Sequence, residues 1–122
     1  MRCRLRSPDR TYYDGNATMV VARTPRGEFA VLDGHAPLLA QLRDGPVRIK
    51  DADGEAAFLC GQGTLEVRDD AVTILTTDVE PLAEVDLDAL HRRASDPDVP
   101  ADARAAAGER LRAAERLRGQ RA

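Results

Sequence analysis

Residues 27–42 read GEFAVLDGHAPLLAQL, a stretch that joins an apolar strand to a tight turn. The pattern predicts a short strand over residues 28–32. This strand ends at Asp33-Gly34, where the glycine can adopt a positive φ and the aspartate can close the turn onto backbone N–H groups. Pro37 then fixes its own φ and biases the residue before it towards an extended conformation. We therefore expect a rigid corner that displays an acid and the imidazole of His35.

The segments on both sides of this corner read as short strands separated by turn signals. Residues 2–6 alternate arginines with apolar residues, so one face of that strand is charged and the other points inward. Asp53-Gly54 favours a hairpin because it supplies the positive φ of a primed turn. Gly61 and Gly63 suggest a bulge or a close backbone approach. About ten such strands in the first two-thirds of the chain predict an antiparallel β-sandwich.

The composition changes near residue 85, where Ala, Leu, Arg, Asp and Glu replace β-branched residues and glycines. Asp86 suits the N-cap of a short first helix. Two prolines within residues 95–100 must interrupt that helix, and a second helix begins after them. We expect the second helix to run to about residue 117 or 118, with Gly119 as its stop.

The apolar side of the second helix is thin, because most of its side chains carry a single methyl group. Burying such a stripe releases little free energy, at about 25 cal/mol per Å², so the hairpin is predicted to be held weakly. The fold class is mainly β with an added α part: a β-sandwich domain over residues 1–84 and an antiparallel helical hairpin over residues 85–122. The predicted stripe consists of Ala103, Ala106, Ala107, Leu111, Ala114 and Leu117.

Composition limits the classes of function. The chain has 122 residues, a formal net charge of −3 and 43% hydrophobic residues, which is ordinary for a soluble protein and unlike a nucleic-acid binder. Its apolar runs are shorter than the roughly 20 residues that cross a bilayer, and its start lacks the apolar core of a signal peptide. We therefore expect a cytoplasmic protein. Cys3 and Cys60 are too few for a disulfide framework and read as small core residues.

The inventory of side chains argues against catalysis by this chain alone. His35 and His91 are its two histidines, and no cysteine or serine near either completes a nucleophile arrangement. No cluster has the spacing of metal ligands. Residues 61–63 lack the third glycine of a dinucleotide-binding loop. We expect no catalytic residue, no metal and no cofactor.

The motif residues of the corner resemble a known signature. Gly27-Glu28, the apolar run and residues 34–39, followed by Leu42 and Gly45, resemble the epsilon subunit of the bacterial F-type ATP synthase. Residues 58–67 and 71–76 resemble the next hairpin of that family, in the same order and at similar spacing. The resemblance covers about residues 2–86 well and the last third only loosely.

This resemblance implies a non-catalytic rotor subunit of the proton-translocating synthase, peripheral to the cytoplasmic face of the membrane. Such a subunit binds the gamma subunit and the c-ring and couples rotation of the ring to ATP synthesis. In the family, the residues that match Glu28 and His35 lie at the end of the sandwich that faces the polar loops of the c-ring. Glu28 would pair there with a cationic loop residue, a contact worth about 0–1 kcal/mol at a solvated rim.

The resemblance also implies a regulatory use of the C-terminal helices. From the residues alone, the arginines of the second helix form a solvated face, with Glu109 and Glu115 making local pairs. In the family these helices extend along gamma, where they meet the alpha and beta subunits, and their basic residues contact an acidic segment of beta. That extended state inhibits ATP hydrolysis. The arginines assigned to this contact are Arg110, Arg112, Arg116, Arg118 and Arg121.

Some members of the family bind ATP in the folded hairpin through an Ile-Asp-x-x-Arg-Ala motif. Residues 85–90 read VDLDAL here, which keeps the acid and lacks the arginine. Loss of that cation removes a charge-assisted contact with the nucleotide. ATP is therefore a regulatory ligand only if the remaining residues suffice. Those residues are Glu80, Asp86, Arg112 and Arg116.

Two other functions remain as alternatives. The first is a free-standing β-sandwich module whose corner at residues 34–42 binds a small ligand or a peptide. The second is a nucleic-acid contact by the arginine-rich tail, which predicts a steep salt dependence. The tail has no interleaved aromatic residues, which argues against the second alternative.

Overall fold

The computed structural model describes the backbone of residues 1–121 and the side chains of residues 1–119. The chain divides into two compact units, the first over Met1–Pro81 and the second beginning at Leu82. Among the described residues, no helix combines the length and the apolar character needed to cross a bilayer.

The first unit is a β-sandwich built from two five-stranded sheets. Its strands are β1 (Arg2–Arg6), β2 (Thr11–Asn16), β3 (Met19–Thr24), β4 (Gly27–Leu32), β5 (Leu38–Leu42), β6 (Gly45–Asp51), β7 (Gly54–Cys60), β8 (Gly63–Arg68), β9 (Ala71–Thr76) and β10 (Val79–Pro81). One sheet has the order β2-β1-β9-β8-β5 and the other β10-β7-β6-β3-β4. The predicted β-sandwich is confirmed. Strands β1 and β9 pair in parallel, an exception to the predicted antiparallel pattern.

The core lies between the sheets and follows from the alternation of the strands. In β1, β8 and β9 every second residue is buried and the residues between them face solvent. Leu5, Ile49, Leu65 and Ile74 are fully buried in this core. Cys3 and Cys60 lie in the same buried cluster, and burial raises the pKa of the Cys3 thiol to about 12. Both cysteines are therefore small core residues, as predicted.

The turns use the chemistry that the sequence predicts. Gly34 has a φ of +79° in the corner after β4, and the N–H of His35 donates to the carbonyl of Leu32 at 3.1 Å. Gly63 lies so close to β9 that a Cβ there would meet the Leu75 carbonyl and would lie 2.7 Å from Thr76 Cα. The predicted close approach is thus confirmed at Gly63.

The second unit contains a short 3-10 turn at Leu82–Glu84 and two helices, α1 (Leu87–Ser95) and α2 (Ala101–Arg121). Asp86 caps α1 as predicted, because its Oδ1 accepts a hydrogen bond from the N–H of Ala89 at 3.0 Å. The predicted stop at Gly119 is wrong. Gly119 stays within α2 and does not adopt the positive φ that a glycine C-cap requires.

The stripe predicted on α2 is only partly correct. Ala107, Ala114 and Leu117 are buried, but Ala106 is exposed. Ala113, which the prediction omits, is buried instead. Helical periodicity locates the centre of a buried stripe, but the neighbouring elements decide how wide the stripe is at each turn.

Candidate functional site

Glu28 lies at the start of β4, an edge strand of its sheet. Its carboxylate is half-exposed, and its Oε1 lies 3.5 Å from Nη2 of Arg48 on β6. Nη1 of Arg48 lies 3.5 Å from Oε1 of Glu55 on β7. The guanidinium therefore sits between two carboxylates, and Glu28 already has a cationic neighbour. Sequence reasoning missed Arg48, because only sheet pairing brings these three strands together.

His35 is exposed in the corner that follows β4. Its backbone N–H closes the turn, and its Nδ1 lies 2.6 Å from the carbonyl oxygen of Ala36. Because a carbonyl only accepts hydrogen bonds, Nδ1 carries the proton in this contact. This contact fixes the orientation of the imidazole within its own turn, and Nε2 takes no part in it.

Glu28 and His35 lie near opposite ends of β4, and their shared contact with the c-ring stays a prediction. Glu28 is near the beginning of β4 and His35 follows its last residue, Leu32. Four extended residues, at about 3.3 Å each, separate Glu28 from Leu32 by roughly 13 Å. Because β4 is an edge strand, both residues still belong to the same lateral edge of the sandwich.

Asp33 has a partner that the sequence does not predict. Its Oδ1 lies 2.7 Å from the ammonium group of Met1, which also donates to the carbonyl of Ala17 at 3.0 Å. The hydrogen bond with Asp33 raises the pKa of this amine above 8.0, against the opposing effect of burial. The corner is therefore tied to the start of β1 instead of being closed only by local N–H groups.

The arginines assigned to the regulatory contact differ in their surroundings. Arg112 and Arg116 are exposed, and within the described residues neither forms an ion pair. The predicted local pairs with Glu109 and Glu115 are therefore absent from these two positions. Arg110 is half-buried. The side chain of Arg121 lies outside the described residues.

Arg118 has well-defined partners within the second unit. Its Nη2 donates to the carbonyl of Leu82 at 2.9 Å and to the carbonyl of Val85 at 2.7 Å. These acceptors are 36 and 33 residues away in sequence, so no local pattern reveals them.

The four residues assigned to a nucleotide site are distributed over β10, the N-cap of α1 and α2. Glu80 lies in β10 of the first unit, whereas Asp86 caps α1 in the second. Arg112 and Arg116 are on α2. The carboxylate of Asp86 is already used as a cap, which explains its presence without a nucleotide. ATP binding stays a prediction. In the part of the chain that the structure describes, no group of three or more His, Cys, Asp or Glu side chains could hold a metal ion.

Comparison with known proteins places this sandwich in a family. An ATP synthase epsilon chain from Alkalihalophilus pseudofirmus is 41% identical over 88 residues, which are 72% of this chain and 66% of that relative. The family model described as ATP synthase, Delta/Epsilon chain, beta-sandwich domain matches residues 1–82. The chain belongs to the ATP synthase epsilon-chain family. As a member of this family it is a non-catalytic subunit.

Two solved structures share the fold of this epsilon-family chain. A chain in the Euglena gracilis mitochondrial ATP synthase structure of OSCP, F1 and c-ring has a TM-score of 0.68 and 24% identity, covering 98% of this chain and 80% of that chain. A chain in the Tetrahymena thermophila mitochondrial structure of central stalk and c-ring has a TM-score of 0.63 and 18% identity, covering 95% and 94%. The segment matched in the Alkalihalophilus pseudofirmus chain spans 66% of that relative, just under two thirds of its length. The fold shared with the two solved structures extends over nearly the whole of this chain.

Proposed function

We propose that this chain is a rotor subunit in the central stalk of a proton-translocating F-type ATP synthase. It would bind gamma, rest on the c-ring and turn with both, so that rotation of the ring drives ATP synthesis. Membership of the epsilon-chain family supports this role. The names of the structural neighbours, which include the c-ring and the central stalk, agree with it. Its place would be the cytoplasmic face of the membrane, held there through the complex.

The contact with the c-ring would run along the lateral edge formed by β4. Glu28 and His35 flank this edge, and both are exposed. A cationic side chain of a ring loop would share Glu28 with Arg48, which already lies 3.5 Å from it. A carboxylate that already has a cationic neighbour and lies at a solvated rim contributes more to the orientation of a partner than to the affinity for it.

The second role would be inhibition of ATP hydrolysis by the C-terminal helices. In this role the hairpin opens, and its arginines meet an acidic segment of beta. Arg112 and Arg116 support the proposal because their guanidinium groups are exposed and form no ion pair among the described residues. The small buried side chains of α2, such as Ala107 and Ala114, give a closed state that a partner can compete with.

The observation that carries the proposal is the division of the chain into a family-matched sandwich and a separate helical unit. It is tested by assembling F1 from alpha, beta and gamma with either the full chain or a chain that ends at Pro81. We expect both forms to bind gamma in a one-to-one complex without nucleotide, and the shorter form to allow faster ATP hydrolysis.

The two readouts separate the two roles. If the full chain does not bind gamma, the rotor assignment is wrong, and a free-standing ligand-binding sandwich becomes the better explanation. Equal hydrolysis rates for the two forms would instead remove the inhibitory role and leave the coupling role intact.

A further inference from the structure

The side chain of Arg118 ties the end of α2 to the segment that precedes α1. Nη2 of Arg118 donates to the carbonyls of Leu82 and Val85 at 2.9 Å and 2.7 Å. Both of these residues have buried side chains. The guanidinium therefore connects the last turns of the hairpin to its first residues.

The two carbonyls are suited to this contact. Val85 lies just before the N-cap Asp86, and the helical ladder of α1 begins with the bond from Leu90 N–H to the Asp86 carbonyl at 3.1 Å. The Val85 carbonyl is thus outside that ladder. The Leu82 carbonyl also accepts from the Val85 N–H at 3.2 Å, and its second lone pair is available to Arg118. Hydrogen bonds from a charged donor are the stronger kind.

We propose that Arg118 is the latch that holds the hairpin closed, and that α2 can extend only after this guanidinium leaves both carbonyls. The proposal rests on the inhibitory function argued above, because it names the contact that extension must break. Arg118 is also one of the arginines assigned to an acidic partner. Carboxylates accept from a guanidinium more strongly than neutral carbonyls do, so an acidic surface competes for the same nitrogen.

Neighbouring arginines provide matched controls for the latch. Arg116 lies on the same helix, is exposed and forms no ion pair among the described residues. Arg116→Gln and Arg118→Gln remove the same charge from positions two residues apart on α2, with nearly equal helix propensity. Only the second variant removes the carbonyl contact.

The latch is tested on the isolated full-length chain by hydrogen exchange of the α2 amides. Arg118→Gln is expected to accelerate exchange roughly tenfold, while Arg116→Gln leaves it at the wild-type rate. The amides of the sandwich serve as the internal reference for folding. Equal exchange in the two variants would overturn the latch. Loss of helical circular dichroism in Arg118→Gln would also overturn it, because the residue would then support the helix itself.

A second measurement separates the latch from the function it regulates. In assembled F1, Arg118→Gln is expected to inhibit ATP hydrolysis more strongly than Arg116→Gln, because the loosened hairpin extends more readily. Faster exchange, with ATP hydrolysis no more inhibited than in Arg116→Gln, would sustain the latch and overturn the inhibitory function. Unchanged exchange in Arg118→Gln would overturn the latch. This outcome does not depend on how the full chain and the chain that ends at Pro81 compare in the hydrolysis assay.

Discussion

At the scale of single residues, Tyr13 and Asp51 join the two sheets of the sandwich. Tyr13 is in β2 and Asp51 ends β6, and the phenol donates to Oδ2 of the aspartate at 2.7 Å. Burial, together with this hydrogen bond, raises the pKa of Tyr13 to about 12. The same bond is the main reason that the pKa of Asp51 is lowered. The phenol therefore remains a neutral donor facing a charged acceptor at neutral pH.

Replacing Tyr13 by phenylalanine tests this connection. Tyr13→Phe keeps the ring but removes the donor, so the free energy of unfolding should fall by about 1 kcal/mol. Urea denaturation at neutral pH measures this fall in the free energy of unfolding. Tyr12→Phe is the control, because it removes a phenol hydroxyl from the neighbouring residue. This variant retains the Tyr12 ring, whose centroid lies 4.6 Å from the guanidinium carbon of Arg10. Equal unfolding midpoints for wild type and Tyr13→Phe would show that the bond contributes nothing.

The ion pair between Met1 and Asp33 should make stability depend on pH. The folded-state pKa of the Met1 amine is raised above its ordinary value of 8.0, mainly by the hydrogen bond to Asp33. A raised pKa gives a stabilisation that is complete below the unfolded value and is lost as pH rises through the folded value. The difference in unfolding free energy between wild type and Asp33→Asn should therefore shrink above pH 8. A difference that stays constant through this range would contradict the assignment.

At the scale of elements, the sequence predicts what local chemistry decides. Alternation identifies β1, β8 and β9, and an acid before the apolar positions identifies the cap of α1. The parallel pairing of β1 with β9, the Met1–Asp33 pair and the Arg118 contacts join residues far apart in sequence. Such contacts depend on which elements become neighbours, which periodicity does not reveal. The proposed roles of Glu28 and His35 likewise depend on the family resemblance, since an exposed acid and a turn imidazole have no chemistry of their own to distinguish them.

Strand β8 can begin where it does only because Gly63 has no side chain. A Cβ there would meet the Leu75 carbonyl and would lie 2.7 Å from Thr76 Cα, so backbone atoms would have to move. Gly63→Ala should therefore destabilise the sandwich by about 3 kcal/mol or more. Thermal unfolding followed by circular dichroism measures this loss. A melting temperature equal to that of wild type would mean that β8 and β9 separate without cost.

Gly119 offers the opposite case, in a helix. It lies in α2, and apart from its chain neighbours and the backbone of its own helix, no atom of the described residues lies within 4 Å of the position that a Cβ would occupy. Alanine is favoured over glycine by about 0.5–1 kcal/mol in a helix interior, and less is expected so close to the helix end. Gly119→Ala should raise the helical circular dichroism slightly and leave the sandwich unchanged. A decrease in helicity would show that Gly119 ends the helix after all.

At the scale of the whole molecule, the two units have different means of stabilisation. The sandwich encloses a cluster of large aliphatic side chains, including Leu5, Ile49 and Ile74. The helical unit buries several alanines and relies on polar contacts such as that of Arg118. Since apolar burial scales with area, the second unit should unfold or open first. This difference suits the proposed roles, in which the sandwich transmits rotation and the helical unit regulates ATP hydrolysis.

The proposed contact with the c-ring makes a final prediction about additivity. Glu28 lies roughly 13 Å from Leu32 at the other end of β4, and His35 is in the turn that follows Leu32. Sites at about this distance usually contribute independently. Glu28→Gln and His35→Ala should each weaken association of the chain–gamma complex with c-ring vesicles by up to about 1 kcal/mol. The double variant should show the sum of the two losses.

The control is Glu66→Gln, because Glu66 lies on β8 in the other sheet and is also exposed. It removes the same charge as Glu28→Gln, so any general effect of net charge on the vesicles appears in both. If Glu66→Gln weakens association as much as Glu28→Gln, the ring does not meet the β4 edge. If the double variant loses no more than either single one, the two residues act as one site, and the contact cannot be the extended edge that β4 provides.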